Sequence, residues 1–348
     1  MSPTTASPYR PQLANRAPAR LPADDPPVLV VVIDTEEEFD WSAPFDRNQT
    51  AVEAMRDVGL GQALFDEFGI KPCYVIDYPV ATQETGWKPL KEIHDDGRCE
   101  IGAHLHPWVS PPHVEDVNPP NSYPGNLPQA VEEDKLRRLA EAIEDRFERR
   151  PRTYKAGRYG FGPNTTAALE LLGFENDCSP AAGFDLSADG GPNWSKHSPD
   201  PAWFGTGGKL LSIPTTGGFV GSLAGFGAGL HRLAHRPPFI QGRVPGILSR
   251  LGAFERLMLS PEGYRPEHLQ RLTRTLLARG TRVFSFSFHS PSLRPGCTSY
   301  VRTETDRQDF LAVCRQYFDL FLGELGGVSF TPTELRGRLL PLETESSA

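Results

Sequence analysis

The chain has 348 residues, 38% of them hydrophobic. That is enough for one large α/β domain with an ordinary buried core, and it excludes a chain too polar to fold. A formal charge of −8 argues against nucleic acid as the main partner. The five cysteines, Cys73, Cys99, Cys178, Cys297 and Cys314, stand at wide, irregular spacings without a C-x-x-C pair, so they read as reduced core or loop thiols.

Residues 1–27 are rich in Pro, Ala and Ser and lack the apolar stretch of a signal peptide. They are predicted to form a disordered tail, and a cytoplasmic location is expected. "VLVVVI" at 28–33 is short and β-branched and reads as a buried strand. The acids of "DTEEEFDW" (34–41) therefore stand where that strand leaves the core. A helix is predicted through 51–69, ended by Gly69, then a strand at 71–80, a short helix at 87–97 and a strand at 99–106. The proline-laden loop 107–128 is long enough to suggest a functional loop. Leu136, Leu139, Ile143 and Phe147 mark a helix over 129–148, followed by a strand at 152–157, a helix at 164–173 and a strand at 174–179.

Residues 205–282 carry eleven Lys or Arg against three acids, Glu255, Glu262 and Glu267. This composition suits solvated helix faces, or a face that meets an anionic glycan or phospholipid surface. Within it, Leu210–Leu230 is uncharged, and Gly217, Gly221, Gly225 and Gly229 recur at every fourth position. A helix there would present a smooth packing stripe, as an internal contact or an interfacial helix. The run is too polar and glycine-rich for a membrane span, which needs about 20 strongly apolar residues. We take 205–262 as a Gly-rich basic insertion. Leu269, Leu272, Leu276 and Leu277 mark the next helix, 282–289 a strand, Phe310, Cys314, Tyr317 and Phe321 the last helix, and 327–332 a final strand. Residues 336–348 form the C-terminal tail.

Repeated βα units predict a parallel sheet or barrel over 28–335, with its chemistry at the carboxyl ends of the strands. Asp34, Asp77, His104, His106, Asp177 and His289 all fall at or just beyond such ends. Side chains i and i+2 of an extended chain share a face, so Asp34 and Glu36 point into one pocket while Thr35 and Glu37 point away. Two such carboxylates can divide the work, one binding a metal and one accepting a proton. In "EIGAHLHPW", His104 and His106 likewise share a face, and paired imidazoles beside a carboxylate suit zinc or a similar ion. His113 is a weaker substitute ligand. In "FSFSFHSPSL", Ser285, Ser287 and His289 line the face opposite Phe284, Phe286 and Phe288, which places His289 to donate a proton. In "YKAGRYGFG", either Lys155 or Arg158 could keep a catalytic carboxylate ionised.

Taken in order, "IDTEEEF", "EIGAHLHPW", "YKAGRYGFG" and "FSFHSPSL" resemble the polysaccharide deacetylase (NodB-homology) family, in its WalW-type branch, from about Val28 to Phe330. The resemblance implies an α/β fold, a distorted (β/α)7 barrel, binding one divalent metal and removing N- or O-acetyl groups from a sugar or glycan precursor. Zinc is the expected ion, with cobalt or nickel as substitutes. By motif position Asp34 corresponds to the catalytic base, Glu36, His104 and His106 to the metal ligands, and His289 to the general acid. Lys155 or Arg158 replaces the family arginine that orients the base. The chain departs from the pattern in three places. Asp-Thr-Glu replaces consecutive aspartates, the histidines stand two apart rather than four, and Lys155-Ala156-Gly157 replaces Arg-Pro-Pro. Trp41, Trp108 and Tyr159 are candidate sugar-stacking aromatics, and Asp77 and Asp177 candidate substrate contacts. Two other readings compete. One is a metal-dependent hydrolase of small cyclic amides, which needs a pocket closed over its substrate. The other is a non-catalytic glycan-binding or assembly protein that kept the barrel.

Overall fold

The computed structural model describes residues 16–340. Its strands are β1 (Ala17–Pro18), β2 (Val28–Thr35), β3 (Cys73–Ile76), β4 (Glu100–Leu105), β5 (Thr153–Ala156) and β6 (Asn176–Asp177). They continue with β7 (Ala202–Phe204), β8 (Leu210–Ser212), β9 (Gly217–Val220), β10 (Glu255–Met258), β11 (Val283–His289) and β12 (Val328–Ser329). One curled sheet runs in the order β1-β7-β8-β6-β5-β4-β3-β2-β11, with β12 added beside β2. It is parallel from β8 to β11, as the alternation of strands and helices requires, and β7 and β1 extend its edge antiparallel.

The expected (β/α)7 closure is not a continuous ladder: parallel pairing stops at β8 on one side and β11 on the other. Irregular chain spans the gap instead. Thr216 N–H donates to the Ser285 carbonyl, Leu259 N–H to that of Thr216, and Ser287 N–H to that of Leu259.

The two-residue period of the strands sorts their side chains. Leu29, Val31 and Ile33 of β2 and Phe284, Phe286 and Phe288 of β11 join the large core cluster shared with the outer helices. Val28, Val30 and Val32 face inward with Cys73, Val75 and Ile213, above a floor that includes Leu335 and Leu339. The helices Gln129–Phe147 and Pro266–Leu277 occupy the positions that periodicity predicts. The predicted strand 71–80 is shorter. It ends at Ile76 because the Asp77 side chain caps a helix, Tyr78–Thr82, by accepting from Val80 N–H at 2.7 Å with Pro79 in the first turn.

Three expectations need correction. Residues 1–15 of the disordered tail lie outside the described residues, but from Ala17 the chain is held. Ala17–Pro18 pairs with Ala202–Trp203, and Ala19 is buried with its N–H on the Pro201 carbonyl. The glycine-stripe helix does not form. Gly217–Val220 is a strand paired with Glu255–Met258, and the α-helix is confined to Gly227–Ala234 after a single 3-10 turn at Ala224–Phe226, since glycine gives a helix little intrinsic support. The C-terminal boundary at 335 falls within the helix Pro332–Arg338, and Leu339 beyond it is buried. Of the tail assigned to 336–348, residues 341–348 lie outside the described residues. No helix among the described residues is long and apolar enough to cross a membrane.

Candidate active site at the strand ends

Strand register sets the first contacts. Asp34 of β2 sits opposite His289 of β11, and His104 of β4 opposite Lys155 of β5. Between β5 and β2 stand two further strands. On a flat sheet that separation would be about 14 Å at ~4.8 Å per strand, beyond the reach of a lysine. The curl removes it: Lys155 Nζ donates to both Asp34 oxygens, at 2.6 and 2.8 Å, and to Ser287 Oγ at 2.9 Å.

Burial by itself pushes the Asp34 carboxyl up, but the opposing charge of Lys155, with His104 and His289, outweighs it and holds the group below its ordinary range. His289 Nε2 lies 3.7 Å from Asp34 Oδ2, too far for a hydrogen bond. Its Nδ1–H donates to Glu262 Oε2 at 2.7 Å, and its backbone N–H to Glu262 Oε1 at 3.2 Å. Burial disfavours the imidazolium, yet Glu262, Glu36 and Asp34 reverse that effect and push the pKa up to about 10. His289 is therefore a cation at neutral pH, beside an ionised carboxylate that Lys155 already holds.

Glu36, His104 and His106 form a second cluster, with Glu36 Oε2 at 3.4 Å from Nε2 of each imidazole. His104 Nδ1–H donates to the Lys155 carbonyl at 2.9 Å, and His106 Nδ1–H to Glu37 Oε2 at 2.8 Å. A carbonyl can only accept, so the tautomer of His104 is fixed and its Nε2 lone pair faces Glu36. Burial pushes His106 down to about 4 and lowers His104, which keeps both rings neutral as ligands require. Both Glu36 oxygens and His106 Nε2 are buried without a hydrogen-bond partner. Buried polar atoms rarely stay unsatisfied, so one carboxylate and two neutral imidazoles converging in this way fit a divalent ion.

Glu37 does not point away, as strict alternation predicts. β2 ends at Thr35 and the chain turns, which buries the Glu37 carboxylate behind His106, where it also accepts from Trp108 Nε1 at 2.8 Å. Its backbone N–H is held by Asp77 Oδ2 at 2.7 Å. Gly157 is required by close approach, because a Cβ there would meet the His106 ring and the Leu105 carbonyl, each at 2.5 Å.

A cavity of about 520 Å³ opens over both clusters. Besides Asp34, Glu36, His104, His106 and His289 it is lined by Trp41, Tyr123, Tyr159, Tyr264 and Tyr300, with Arg158 at its edge. Trp41 and Tyr300 are half exposed at the mouth. Trp41 packs edge-on to His289, with ring centroids 5.4 Å apart. Among the aromatic expectations, Trp41 and Tyr159 thus reach the cavity, while Trp108 does not. Trp108 is buried and stacked under His106, with ring centroids 4.3 Å apart, because the turn Pro107–Val109 folds it back onto the sheet end.

Other placements differ from expectation as well. Arg158 adopts a left-handed backbone (φ 54°), and its guanidinium goes to Asp189 and Ser122 and over the Tyr123 ring, so Lys155 is the cation on Asp34. Asp77 is wholly buried as a helix cap and backbone anchor. Asp177 shares the register row of Tyr154, whose side chain lies in the helix-side core, and it is capped by Ser179. Neither aspartate lines the cavity. His113 is exposed in the loop.

Sequence reasoning missed Glu37 and Glu262. Glu262 is one of only three acids in a basic segment, and that isolation was the available signal.

Comparison with known proteins matches no family model and no curated protein sequence. Solved structures match in fold. One, described as a polysaccharide deacetylase from Mycobacterium smegmatis, superposes with a TM-score of 0.51 at 17% identity, covering 97% of this chain and 100% of that one. Another, described as a polysaccharide deacetylase from Pseudomonas aeruginosa PAO1, gives 0.50 at 16% identity over 89% of each chain. The Puue allantoinase gives 0.51 at 16% identity, again over 89% of each. At such low identity the superpositions show a shared fold alone, a curled half-barrel common to these deacetylase and allantoinase structures.

Proposed function

We propose that the protein is a metal-dependent hydrolase that removes N- or O-acetyl groups from a sugar or glycan precursor. The observation that carries this reading is a Lys155-held Asp34 and a cationic His289 lining one cavity with the Glu36, His104 and His106 cluster, in which both Glu36 oxygens and His106 Nε2 are unsatisfied. A divalent ion held by those three residues, zinc or else cobalt or nickel, would supply Lewis acidity at the acetyl carbonyl.

The chain's own groups account for the proton movements. Asp34, kept ionised by Lys155, takes a proton from the attacking water. Ser287 and the second Asp34 oxygen hold the Lys155 ammonium, so the carboxylate is fixed in orientation as well as in charge. His289, kept protonated by Glu262, gives its Nε2 proton to the departing amine or alcohol, which would otherwise leave as a poor anionic leaving group. Trp41 and Tyr300 at an open mouth suit a sugar ring, whereas a small cyclic amide calls for a site closed over its substrate. The resemblance to the NodB-homology family, WalW-type branch, supports the same reading, and so does the deacetylase fold.

The test is acetate release from a panel of acetylated sugars and sugar nucleotides, with the metal content of the purified protein measured alongside. Asp34→Asn should abolish turnover and retain the metal, and His104→Ala should lose both. A fully metallated protein that hydrolyses allantoin or another cyclic amide and no acetylated sugar would establish the small-amide alternative instead. A protein that takes up no metal would favour the non-catalytic one.

A further inference from the structure

The module between β9 and β10 has no part in the chemistry above, and its surface is unlike the rest of the molecule. From Leu210 to Phe254 there is no Asp or Glu. Its helices Gly227–Ala234 and Val244–Arg250 pack on Phe219, Phe254 and Ala224 through Ala228, Leu230 and Leu248. That contact uses up the inner side. Left outside are Phe226, Leu233, Phe239, Ile240, Ile247 and Leu251, which are six of the twelve large apolar side chains exposed among the described residues. Phe226 is 67% exposed and Leu251 74%. Interleaved with them are Arg232, Arg236, Arg243 and Arg250, all exposed and none within ion-pair distance of a described acid.

Single exposed leucines are ordinary, but half of a protein's exposed large apolar residues gathered in some 26 positions need a partner. The charge pattern selects which. A second copy of this module would bring four arginines against four, with no carboxylate to offset them, so self-pairing is opposed. The apolar groups project singly from two short helices and the turn joining them, among cations whose alkyl stems can lie along an apolar boundary while their heads stay in water. Helices of 8 and 7 residues cannot cross a bilayer but can lie on one.

We propose that residues 226–251 form a docking surface for an anionic phospholipid bilayer, with the apolar side chains inserted at the acyl boundary and the four arginines at the phosphates. β10, which closes this module, also supplies Met258 to the wall of the cavity over Asp34 and His289. Docking would therefore hold that cavity close to the membrane surface.

The full chain is mixed with sucrose-loaded vesicles of phosphatidylcholine alone, or with 40% phosphatidylglycerol, and sedimented. Binding to the anionic vesicles, weakened at least tenfold between 50 and 500 mM NaCl and absent from phosphatidylcholine, is expected. Leu233→Ser with Ile240→Ser should reduce binding at least tenfold. Arg236→Gln with Arg243→Gln should reduce it by a comparable factor, at about fivefold per cation, and flatten the salt dependence. Unchanged thermal unfolding of each variant would show that the fold survives. Failure of the wild-type chain to sediment with anionic vesicles at 50 mM NaCl would overturn the proposal, as would binding that neither pair of substitutions alters. Concentration-dependent dimerisation abolished by the serine variant, without vesicle binding, would assign the surface to a second copy and also overturn it. Sedimentation reads binding without turnover, so its failure is separable from failure of the hydrolase reading.

Discussion

Replacing Lys155 by Met removes a buried ammonium while keeping most of its volume, and so isolates the electrostatic role of that residue. Asp34 and Lys155 are both buried, and the ammonium makes three contacts of 2.9 Å or less, two to the carboxylate and one to Ser287. Removing one partner of a buried pair leaves an uncompensated charge and costs about 3–5 kcal/mol, a large part of the ~5–15 kcal/mol that holds a typical domain folded. The cost depends on pH with a definite sign. In the wild type the Asp34 pKa is lowered, so its stabilisation is present above the unfolded value and is lost as pH falls through the folded one. In the Met variant burial is opposed only by His104 and His289, so the folded pKa rises and the stability that an ionised Asp34 contributes at high pH is lost. The gap between the two proteins should be widest at pH 8 and narrow toward pH 4. Urea unfolding at both pH values, with chelator present so that metal affinity does not enter, measures it. Asp34→Asn in the Met background should restore at least half of the loss, because the stranded charge is gone. A loss below ~1 kcal/mol at pH 8, or no recovery in the double variant, would refute the view that Lys155 holds an ionised Asp34.

Other predictions test the groups behind the site. Glu262→Gln removes the partner that raises His289, so the imidazolium should lose its proton at lower pH. The alkaline limb of kcat/KM should move down by about one unit or more. Glu37→Gln weakens the carboxylate that orients His106 and should reduce metal affinity by about 10- to 100-fold, read by competition with a chelator. Glu132 stands on the helix Gln129–Phe147 and does not line the cavity, and burial pushes it up to about 7. Its folded pKa is raised, so its contribution is full below the unfolded value near 4.5 and is lost as pH rises toward 7, on the order of 3 kcal/mol. Glu132→Gln should flatten that decline in a series of urea midpoints.

The alternation of β2 and β11 was legible in the sequence because a strand enforces a period of two through any fold. Val28, Val30, Val32 and Asp34 had to share one side of their strand, and Ser285, Ser287 and His289 one side of theirs. The same rule put His104 and His106 on one face. It failed at Glu37, one step after β2 ends, because the period holds only while the chain stays extended. Which cation serves Asp34 was equally beyond local reasoning. Lys155 and Arg158 stand three residues apart at one strand end, and two features separate them: a left-handed turn that sends Arg158 to Asp189, and a curl that carries Lys155 across the intervening strands. Asp77 and Asp177 occupied strand ends like the residues that line the cavity, but a capping bond took one and register turned the other toward the helices. Sequence alone thus determined the faces of the strands and the kinds of ligand they offer, since both follow from neighbours a few residues apart. Tertiary structure decided the partners, because Lys155 with Asp34, Glu262 with His289 and Glu37 with His106 lie 121, 27 and 69 residues apart in the chain. No short-range rule spans those separations; the bending of the sheet brings them together.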